Sequence, residues 1–385
     1  MPAVSTGVPP DFSGNPSGVV RLRDYRPELD VVRFLAFLLV FLFHFLPWPA
    51  VGQAGWRVQM ALVELCSMGL CLFFTLSAYL ITTILLAERE TNCVISVPKF
   101  YIRRILRIWP LYFFGIALGI GIALERNRPG DVIGFLWYLL FAGNLYCIAF
   151  GWLGNSFAPL WTISIEEQFY LIWPWAIRWF SRRGMMVCSF LFIAAANITL
   201  FILGQRHALG REVWANTFVQ FEMFAAGILL ALARKHLAWR NAGIGLLLVL
   251  AGPFLWFFTC LQFYYQQSPV TGAAISGANL MLRYLLIALG SAAILHGFCM
   301  IGPSHMPRWA TYLGKISYGL YVYHLFAIEL ARLLLAPLRG RVFLAALAPV
   351  ALLLTISFAV LSYTFLESPF LRLKRRFEIV HSRPI

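Results

Sequence analysis

The chain has 385 residues, of which 61% are hydrophobic and only 12% are charged, and its mean hydropathy is +0.76. A soluble domain of this size needs far more charge to cover its surface, so the composition excludes one and indicates many membrane crossings. The net charge of +15 does not indicate nucleic-acid binding, because the basic residues are dispersed around the ends of apolar runs. We expect them to set membrane topology and to contact lipid headgroups.

The first 20 residues are rich in Pro, Gly and Ser and contain no apolar stretch of the kind that signal peptides have. We expect residues 1–20 to form a disordered cytoplasmic tail, with the first span acting as an uncleaved targeting signal. Residues 21–372 would form one transmembrane domain, and residues 373–385 a basic cytoplasmic tail. The seven cysteines lack CxxC or Cys/His ligand spacing, so we interpret them as packing residues and predict no metal site.

Apolar runs of about 20 residues, enough to cross a hydrocarbon core of about 30 Å, recur along the whole chain. The candidate spans cover residues 31–49, 61–87, 106–124, 132–150, 163–180, 185–204, 213–233, 243–260, 280–301, 313–336 and 343–366. They leave no room for a soluble domain between them.

The distribution of Lys and Arg sets the predicted topology. Basic residues before the first span, around 99–107, around 178–183 and after the last span all favour the cytoplasmic side. If all of these basic segments are cytoplasmic, residues 125–181 must cross the membrane an odd number of times, which here means once. Two apolar segments, 132–150 and 163–180, lie in that stretch, so one of them should not cross. The sequence therefore predicts an all-α polytopic fold of about ten transmembrane helices plus one re-entrant or interfacial segment, without deciding which segment that is.

The first predicted span carries two polar residues, Arg33 and His44, which are eleven residues apart. Eleven residues are about three helical turns, so both side chains share one face and are separated by about 16 Å along the axis. Asp30 is expected to pair with Arg33 across one turn. A histidine in a membrane usually faces a cavity, but a packing hydrogen bond for His44 and a snorkelling anchor for Arg33 are the alternatives.

A basic cluster precedes and begins the third span. It consists of Lys99, Arg103, Arg104 and Arg107. The three arginines are neighbours at i,i+3 and i,i+4 on a helix, and guanidinium groups suit phosphate oxygens. A cluster that only fixes topology is the alternative, but four basic residues in nine slightly exceed what topology requires.

Two adjacent carboxylates, Glu166 and Glu167, follow Trp161 and precede Tyr170 at the start of an apolar helix. The helix dipole explains one acidic residue there more easily than two. A carboxylate beside an intramembrane histidine can orient it or accept a proton.

A polar stripe runs along one face of a later span. Ser317, Tyr321 and His324 stand at i, i+4 and i+7, with Tyr318 beside them. Small and polar residues also serve as ordinary helix–helix contacts, and that alternative is favoured for Ser317 taken alone.

These segments together resemble the acyltransferase family 3 membrane proteins, which include O-antigen, exopolysaccharide and nodulation-factor acetylases and macrolide acyltransferases. The resemblance extends from about Leu29 to Arg372. It rests on Arg33 to His44, Phe73 to Ile81 with Ser77, the arginine cluster with Pro110 and Tyr112, Trp161 to Tyr170, Ser317 to His324, and Glu367 to Pro369. Ala78 stands where the family usually has glycine. No SGNH-type domain follows the last span, so we expect any second transfer step to need a separate protein.

The resemblance implies transfer of an acyl group, most simply acetyl, from acyl-CoA to a hydroxyl of a glycan, glycolipid or glycosylated metabolite at the bacterial inner membrane. It makes His44 the essential histidine of the family's first span and Arg33 its paired arginine. Our mechanistic hypothesis is that His44 acts as general base or as transient acyl acceptor, that Glu166 tunes it and that Arg33 helps to place the donor. The residues that would bind coenzyme A are Lys99, Arg103, Arg104 and Arg107. The residues that would line the substrate pocket are Ser77, Trp161, Tyr170, Ser317, Tyr318, Tyr321 and His324. Acyl-CoA would be a co-substrate, and no permanently bound cofactor is expected.

A transporter or flippase for a glycolipid or small solute is the competing interpretation. Ten spans, a re-entrant segment and Glu222 inside an apolar run favour it. Against it, the sequence shows no internal repeat of the kind that many secondary transporters have. A transporter also has no evident need for an arginine cluster aligned with a buried histidine.

Overall fold

The computed structural model describes residues 20–21, 26–46, 54–208, 210–234, 236–237, 239–264, 276–378 and 380–381. Within these ranges the ordered elements are helical, apart from a parallel pair of two-residue strands, β1 (Val20–Arg21) and β2 (Val380–His381). Residues 1–19 lie outside the described ranges, and with them nearly all of the tail that we expect to be disordered.

The helices are short in the middle of the chain and long on either side of it. In chain order they are α1 (Pro27–Phe45), α2 (Trp56–Ser67), α3 (Gly69–Asn92), α4 (Val97–Glu125), α5 (Pro129–Leu139), α6 (Gly143–Phe150), α7 (Trp161–Trp179), α8 (Arg182–Gln205), α9 (Gly210–Trp214), α10 (Thr217–Ala233), α11 (Ala242–Tyr264), α12 (Gly277–Ile301), α13 (Arg308–Lys315), α14 (Ser317–Leu334), α15 (Gly340–Ser362) and α16 (Ser368–Lys374).

Six helical stretches in the described residues are long and apolar enough to cross a membrane. They are Trp56–Asn92, Val97–Glu125, Arg182–Gln205, Ala242–Gln262, Gly277–Ile301 and Gly340–Phe377. Helices α1, α7, α10 and α14 have 17 to 19 residues and bury polar or charged side chains. The all-helical membrane fold is therefore confirmed, whereas the count of about ten spans stays a prediction.

The predicted span over 132–150 is interrupted. Helices α5 and α6 are separated by residues 140–142, where Phe141 has a φ of 53°. Helices of 11 and 8 residues reach only about 17 and 12 Å, far less than a hydrocarbon core of about 30 Å. The other apolar segment, 163–180, lies almost entirely in the continuous helix α7. Of the two segments, 132–150 is thus the one that cannot cross as a single straight helix.

Helix α1 packs against α2, α3, α12, α13 and α14. Its contact with α13 is very close, because a β-carbon at Gly314 would overlap the backbone carbonyl of Asp30. The side chain of Asp30 in turn accepts a hydrogen bond from Arg33 at 2.7 Å. The absence of a side chain at position 314 therefore supports the segment of α1 that carries the Asp30–Arg33 pair.

Replacing Gly314 by alanine should destabilise the protein by about 1–3 kcal/mol, because the new methyl group forces α13 away from α1. Thermal unfolding of the purified protein in detergent measures this effect. Gly121 is the matched control, since a β-carbon there meets nothing within 4 Å. Alanine at position 121 should raise stability by about 0.5–1 kcal/mol. Equal effects of the two substitutions would contradict the close α1–α13 contact.

Candidate active site

A cavity of about 720 Å³ lies within the bundle, and helices α1, α3, α4, α7, α12 and α14 contribute most of its lining. Ten of the fourteen predicted site residues line it: Arg33, Ser77, Arg103, Arg104, Arg107, Glu166, Tyr170, Ser317, Tyr318 and Tyr321. The fold thus brings together polar residues from five separate sequence motifs around one volume.

Four other predicted site residues do not line this cavity. Lys99 is exposed and does not line the cavity, unlike the three arginines of its cluster. Trp161 packs against Trp152 with ring centroids 5.4 Å apart. His324 and His44 lie behind Tyr321, as described below. These four residues belong to the same sequence motifs as residues that line the cavity, but their own side chains lie outside it.

The basic part of the cavity contains Arg33, Arg104 and Arg107. Arg33 is held by Asp30, as the i,i+3 spacing predicts. The guanidinium of Arg104 lies 5.3 Å from the ring centroid of Tyr170 in a cation–π contact. Within the described part of the chain, neither Arg104 nor Arg107 forms an ion pair with a carboxylate. This end of the cavity therefore carries positive charge that is available to an anionic ligand.

Arg103 has a different role from the other two arginines of its cluster. Its guanidinium forms an ion pair with Glu88 at 2.6 Å and donates to the backbone oxygen of Phe377 at 3.0 Å. It is buried with an exposed fraction of 8%. We infer that Arg103 fixes α3, α4 and the C-terminal segment relative to one another, although it also lines the cavity.

The two adjacent carboxylates separate in the structure. Glu166 lines the cavity and accepts a hydrogen bond from the hydroxyl of Tyr170 at 3.0 Å, and that hydroxyl lies 2.5 Å from the hydroxyl of Ser77. Glu167 instead approaches the indole nitrogen of Trp109 at 3.4 Å. The Ser77–Tyr170–Glu166 chain therefore gives Glu166 a fixed position in the cavity.

The polar stripe of α14 forms part of the cavity wall. The hydroxyl of Tyr321 donates to the backbone oxygen of Pro159 at 3.0 Å and lies 2.9 Å from the hydroxyl of Thr162. The ring of His324 lies behind it, with centroids 5.5 Å apart. Tyr321 is thus the boundary between the cavity and His324.

His324 is fully buried, and its hydrogen bonding fixes its tautomer. Nδ1 lies 2.5 Å from the backbone oxygen of Tyr321. Since a carbonyl oxygen only accepts, Nδ1 carries the proton and Nε2 is left as an acceptor. Nε2 is buried and has no hydrogen-bond partner among the described residues. A neutral histidine with an unpartnered basic nitrogen therefore lies just behind the cavity wall.

His44 lies beyond His324, with ring centroids 5.2 Å apart. It lines a second cavity of about 540 Å³. The other residues of that cavity are Phe43, Phe45, Leu46, Arg332, Phe343, Leu344 and Leu347. Arg33 and His44 therefore face different cavities, although they share one helix, because the side chains of α14 fill the space between them.

Several cavity residues were not identified as site residues from the sequence. They are Arg26, Tyr79, Arg234, Arg240, His296, Cys299, Lys374 and Glu378, among others. Arg234 and Arg240 follow a predicted span, where basic residues also serve as a topology signal, so the sequence pattern does not separate a ligand site from that signal. Only the packing of α10 and α12 beside α3 shows that they border the same volume as Arg104.

Comparison with known proteins identifies the group to which these features belong. A family model described as "Acyltransferase domain", the acyltransferase family 3 model, matches residues 26–365. The chain is 27% identical over 378 residues to "Peptidoglycan O-acetyltransferase OatA" of Listeria monocytogenes, covering 90% of this chain and 56% of the relative. It is also 27% identical over 368 residues to "Putative peptidoglycan O-acetyltransferase YrhL" of Bacillus subtilis, covering 90% of this chain and 55% of the relative.

The chain thus spans just over half the length of the curated relatives that it matches. No solved structure shows significant similarity to it. The match includes α1 to α15, so every cavity residue discussed above except Lys374 and Glu378 lies inside the matched range.

Proposed function

Because the chain belongs to acyltransferase family 3, we propose that it moves an acetyl group from acetyl-CoA to a hydroxyl of a glycan or glycolipid. One observation carries the proposal. A single cavity has at its basic end two arginines, Arg104 and Arg107, that form no ion pair within the described residues, and it is bounded by Tyr321, behind which His324 and His44 lie. The names of the relatives, peptidoglycan O-acetyltransferases, support an acetyl group and a glycan acceptor.

The cavity suits an extended anionic donor. Its volume of about 720 Å³ lies within the range of about 300–1,000 Å³ that is usual for ligand pockets. Arg104 and Arg107 would bind the pyrophosphate of coenzyme A, since guanidinium forks match phosphate oxygens. The pantetheine arm would extend past apolar side chains of α3 such as Leu76 and Phe73, which also line the cavity. This arrangement directs the thioester toward Tyr321.

The acceptor would approach from the second cavity, which contains His44 and Arg332. For the reaction the thioester has to pass the side chain of Tyr321, which separates the two cavities in this structure. The hydroxyl oxygen of the acceptor then attacks the thioester carbonyl carbon, so that a C–O bond forms and the C–S bond breaks. His44 takes the hydroxyl proton as general base, and this proton finally neutralises the departing thiolate of coenzyme A. In this structure Nε2 of His324 has no partner among the described residues, and the ring of His44 lies beside it with centroids 5.2 Å apart. During the reaction an N–H of the His44 imidazole would donate to this nitrogen, which would orient His44. The reaction consumes acyl-CoA and alcohol and yields ester and free coenzyme A.

The alternative is an acyl-His44 intermediate. A ring nitrogen of His44 attacks the thioester carbonyl carbon, so that a C–N bond forms and the C–S bond breaks; the acceptor hydroxyl then attacks, so that a C–O bond forms and the C–N bond breaks. Incubating the protein with labelled acetyl-CoA in the absence of acceptor separates the two routes. Label that wild type retains and His44→Ala loses supports the covalent route, whereas no retained label in a protein that is active with acceptor supports direct transfer.

We also propose that the basic end faces the cytoplasm of a bacterial cell, with the chain in the inner membrane and both termini inside. Acyl-CoA is made in the cytoplasm, and an excess of Lys and Arg marks cytoplasmic loops. The relatives named above are bacterial.

The proposed function is tested by acyl transfer in a purified system. Protein in lipid vesicles is given acetyl-CoA labelled in the acetyl group, together with soluble peptidoglycan fragments. Labelled ester on the fragments, with an equal amount of free coenzyme A thiol, is the expected result. Passage of a glycolipid or solute across the vesicle membrane without thiol release would instead support the transporter interpretation and contradict the proposal.

Replacing Tyr170 by phenylalanine should lower kcat about 5- to 50-fold, because it removes the hydroxyl that connects Ser77 to Glu166. The aromatic ring that faces Arg104 is kept, so the KM for acetyl-CoA should change by less than about twofold. Steady-state kinetics measures both values. Tyr312→Phe is the control, because Tyr312 is exposed on α13. An unchanged kcat in Tyr170→Phe would show that the hydrogen bonds of the Tyr170 hydroxyl to Ser77 and Glu166 do not support the reaction.

A further inference from the structure

A second group of basic residues borders the same cavity. We call it the mouth cluster, and it consists of Arg26, Arg234, Arg240 and His296. These residues come from the start of α1, the C-terminal end of α10, the segment before α11, and α12. They are distinct from the basic part formed by Arg33, Arg104 and Arg107, which α1 and α4 supply. The cavity therefore has two cationic sites rather than one.

The residues of the mouth cluster differ in how their charge is used. Arg26 forms an ion pair with the buried carboxylate of Glu28 and donates to the hydroxyl of Tyr79, both at 2.9 Å. In contrast, Arg234 and Arg240 form no ion pair with a carboxylate in the described ranges. Both are exposed as well as lining the cavity, which places them at its opening. Two guanidinium groups are thus available to an anion at this position.

Helix α1 orders the two cationic sites along the cavity. Arg26 precedes Arg33 by seven residues, which corresponds to about 10 Å along a helix and nearly the same face. His44 lies eleven residues further on in the same direction. The mouth cluster is therefore on the far side of the Arg33–Arg104–Arg107 site from Tyr321 and His44. An extended ligand that contacts both sites has one end at the opening and the other at the histidines.

Coenzyme A carries a pyrophosphate and a 3′-phosphate, which lie at different distances from its thiol. The pyrophosphate adjoins the pantetheine arm, and the 3′-phosphate lies beyond it on the adenosine ribose. Arg104 and Arg107 adjoin the part of the cavity that leads to Tyr321, where the thioester would lie. They would therefore bind the pyrophosphate, which is the phosphate group nearer to the thiol. We propose that the mouth cluster, chiefly Arg234 and Arg240, binds the 3′-phosphate and makes the enzyme select coenzyme A thioesters over 3′-dephospho-coenzyme A thioesters. This inference rests on the proposed function, because it assigns part of the same donor.

The expected strength of this selection follows from the exposure of the site. A phosphate monoester has a charge between −1.5 and −2 and accepts charge-assisted hydrogen bonds from guanidinium groups. Because the mouth is partly solvated, each arginine should contribute less than a buried pair, about three- to tenfold in affinity. Wild type should therefore bind coenzyme A about 10- to 100-fold more tightly than 3′-dephospho-coenzyme A.

The test compares these two ligands by titration calorimetry on the full chain in nanodiscs of zwitterionic lipid. In the double variant Arg234→Gln with Arg240→Gln, the preference for coenzyme A over 3′-dephospho-coenzyme A should fall to about threefold or less. The reason is that this variant lacks the two guanidinium groups that would bind the 3′-phosphate. Its affinity for 3′-dephospho-coenzyme A should stay within about twofold of wild type. The control is Arg183→Gln with Arg372→Gln, which removes two exposed arginines that do not line the cavity. This control should keep the wild-type preference.

Three outcomes would overturn the inference. Equal binding of both ligands by wild type would leave the proposed function intact but show that the 3′-phosphate is not recognised. In that case, weaker retention of an anionic phospholipid by the Gln variant would identify a lipid phosphate as the ligand of the mouth cluster. An unchanged preference in the Gln variant would place the 3′-phosphate elsewhere. Failure of wild type to bind either ligand would reject the proposed function itself, and the inference with it.

A folding defect is separated from a binding defect by two further measurements. The unfolding temperature of the Gln variant without ligand should match that of wild type. Arg234→Lys with Arg240→Lys keeps the charge but not the planar guanidinium, so its preference should lie between those of wild type and the Gln variant. A Lys variant with no preference, in a protein of normal stability, would contradict a charge-based site.

Discussion

Replacing His44 by glutamine should lower kcat for acyl transfer about 10²- to 10⁴-fold, the usual contribution of a general base. Donor binding should be nearly unchanged, because His44 lies outside the donor cavity, behind Tyr321 and His324. The measurement is kcat from initial rates, together with the affinity for coenzyme A from calorimetry. A lower kcat with unchanged affinity for coenzyme A distinguishes a general base from a residue that binds the donor, because losing a donor-binding residue would lower both kcat and the affinity.

His305→Gln is the control for this substitution, because His305 is exposed at the end of a short 3₁₀ helix (Pro303–His305) and lines neither cavity. A second variant, His324→Gln, should lower kcat less than the loss of His44, about 10-fold, because it removes only the group that orients His44. Full activity of His44→Gln would eliminate the proposed chemistry. Loss of donor binding in His44→Gln at normal stability would show that the two cavities are one site.

Replacing Arg104 and Arg107 together by glutamine should weaken coenzyme A binding about 10²- to 10³-fold. Each arginine offers charge-assisted hydrogen bonds to the pyrophosphate, worth about 1.5–3 kcal/mol. Neither forms an ion pair in the described residues, but Arg104 interacts electrostatically with Glu166, and Arg107 does so with the buried Glu367. We therefore expect a smaller loss of stability than in Arg103→Gln, beside the large loss of donor affinity.

The matched control is Arg183→Gln, an exposed arginine at the start of α8. Arg103→Gln provides the contrast, since its ion pair with the buried Glu88 should make it destabilising by about 3–5 kcal/mol. Thermal unfolding and calorimetry separate the two behaviours. Wild-type affinity in the Arg104/Arg107 variant would show that this end of the cavity does not bind phosphate.

Local spacing was sufficient to predict those parts of the fold and site that depend on one helix. The Asp30–Arg33 ion pair follows from an i,i+3 spacing and is present at 2.7 Å. Membrane residence follows from hydropathy. The break at 140–142 was not visible in this way, because the residues on either side of it are as apolar as those of a continuous span. The cytoplasmic placement of the basic segments required that one of the two apolar segments 132–150 and 163–180 does not cross the membrane. It did not show that this segment is 132–150.

The relation between Arg33 and His44 depends on packing between helices, which a sequence pattern does not specify. Periodicity places both residues on one face of α1, but it does not show that Tyr321 and His324 of α14 divide the space beside that face. The same limit applies to Arg234 and Arg240. Basic residues at the end of a span indicate topology equally well, and only the arrangement of α10 and α12 around α3 places them at the cavity.

The central claim is that the donor is bound from the basic end and the acceptor is acylated at the other side, next to His44. Sealed vesicles that contain the protein in one orientation test it directly. Exposed Cys93 follows α3, whose end also carries Glu88, the partner of Arg103. Labelling of Cys93 with a membrane-impermeant maleimide therefore reports which face of the vesicle carries the basic end.

The measurement is the transfer of labelled acetyl from acetyl-CoA on the Cys93 side to peptidoglycan fragments enclosed on the opposite side. The account predicts labelled ester inside the vesicles in wild type and none in His44→Gln, with coenzyme A thiol released on the donor side only. Ester formation that requires donor and acceptor on the same side would contradict it.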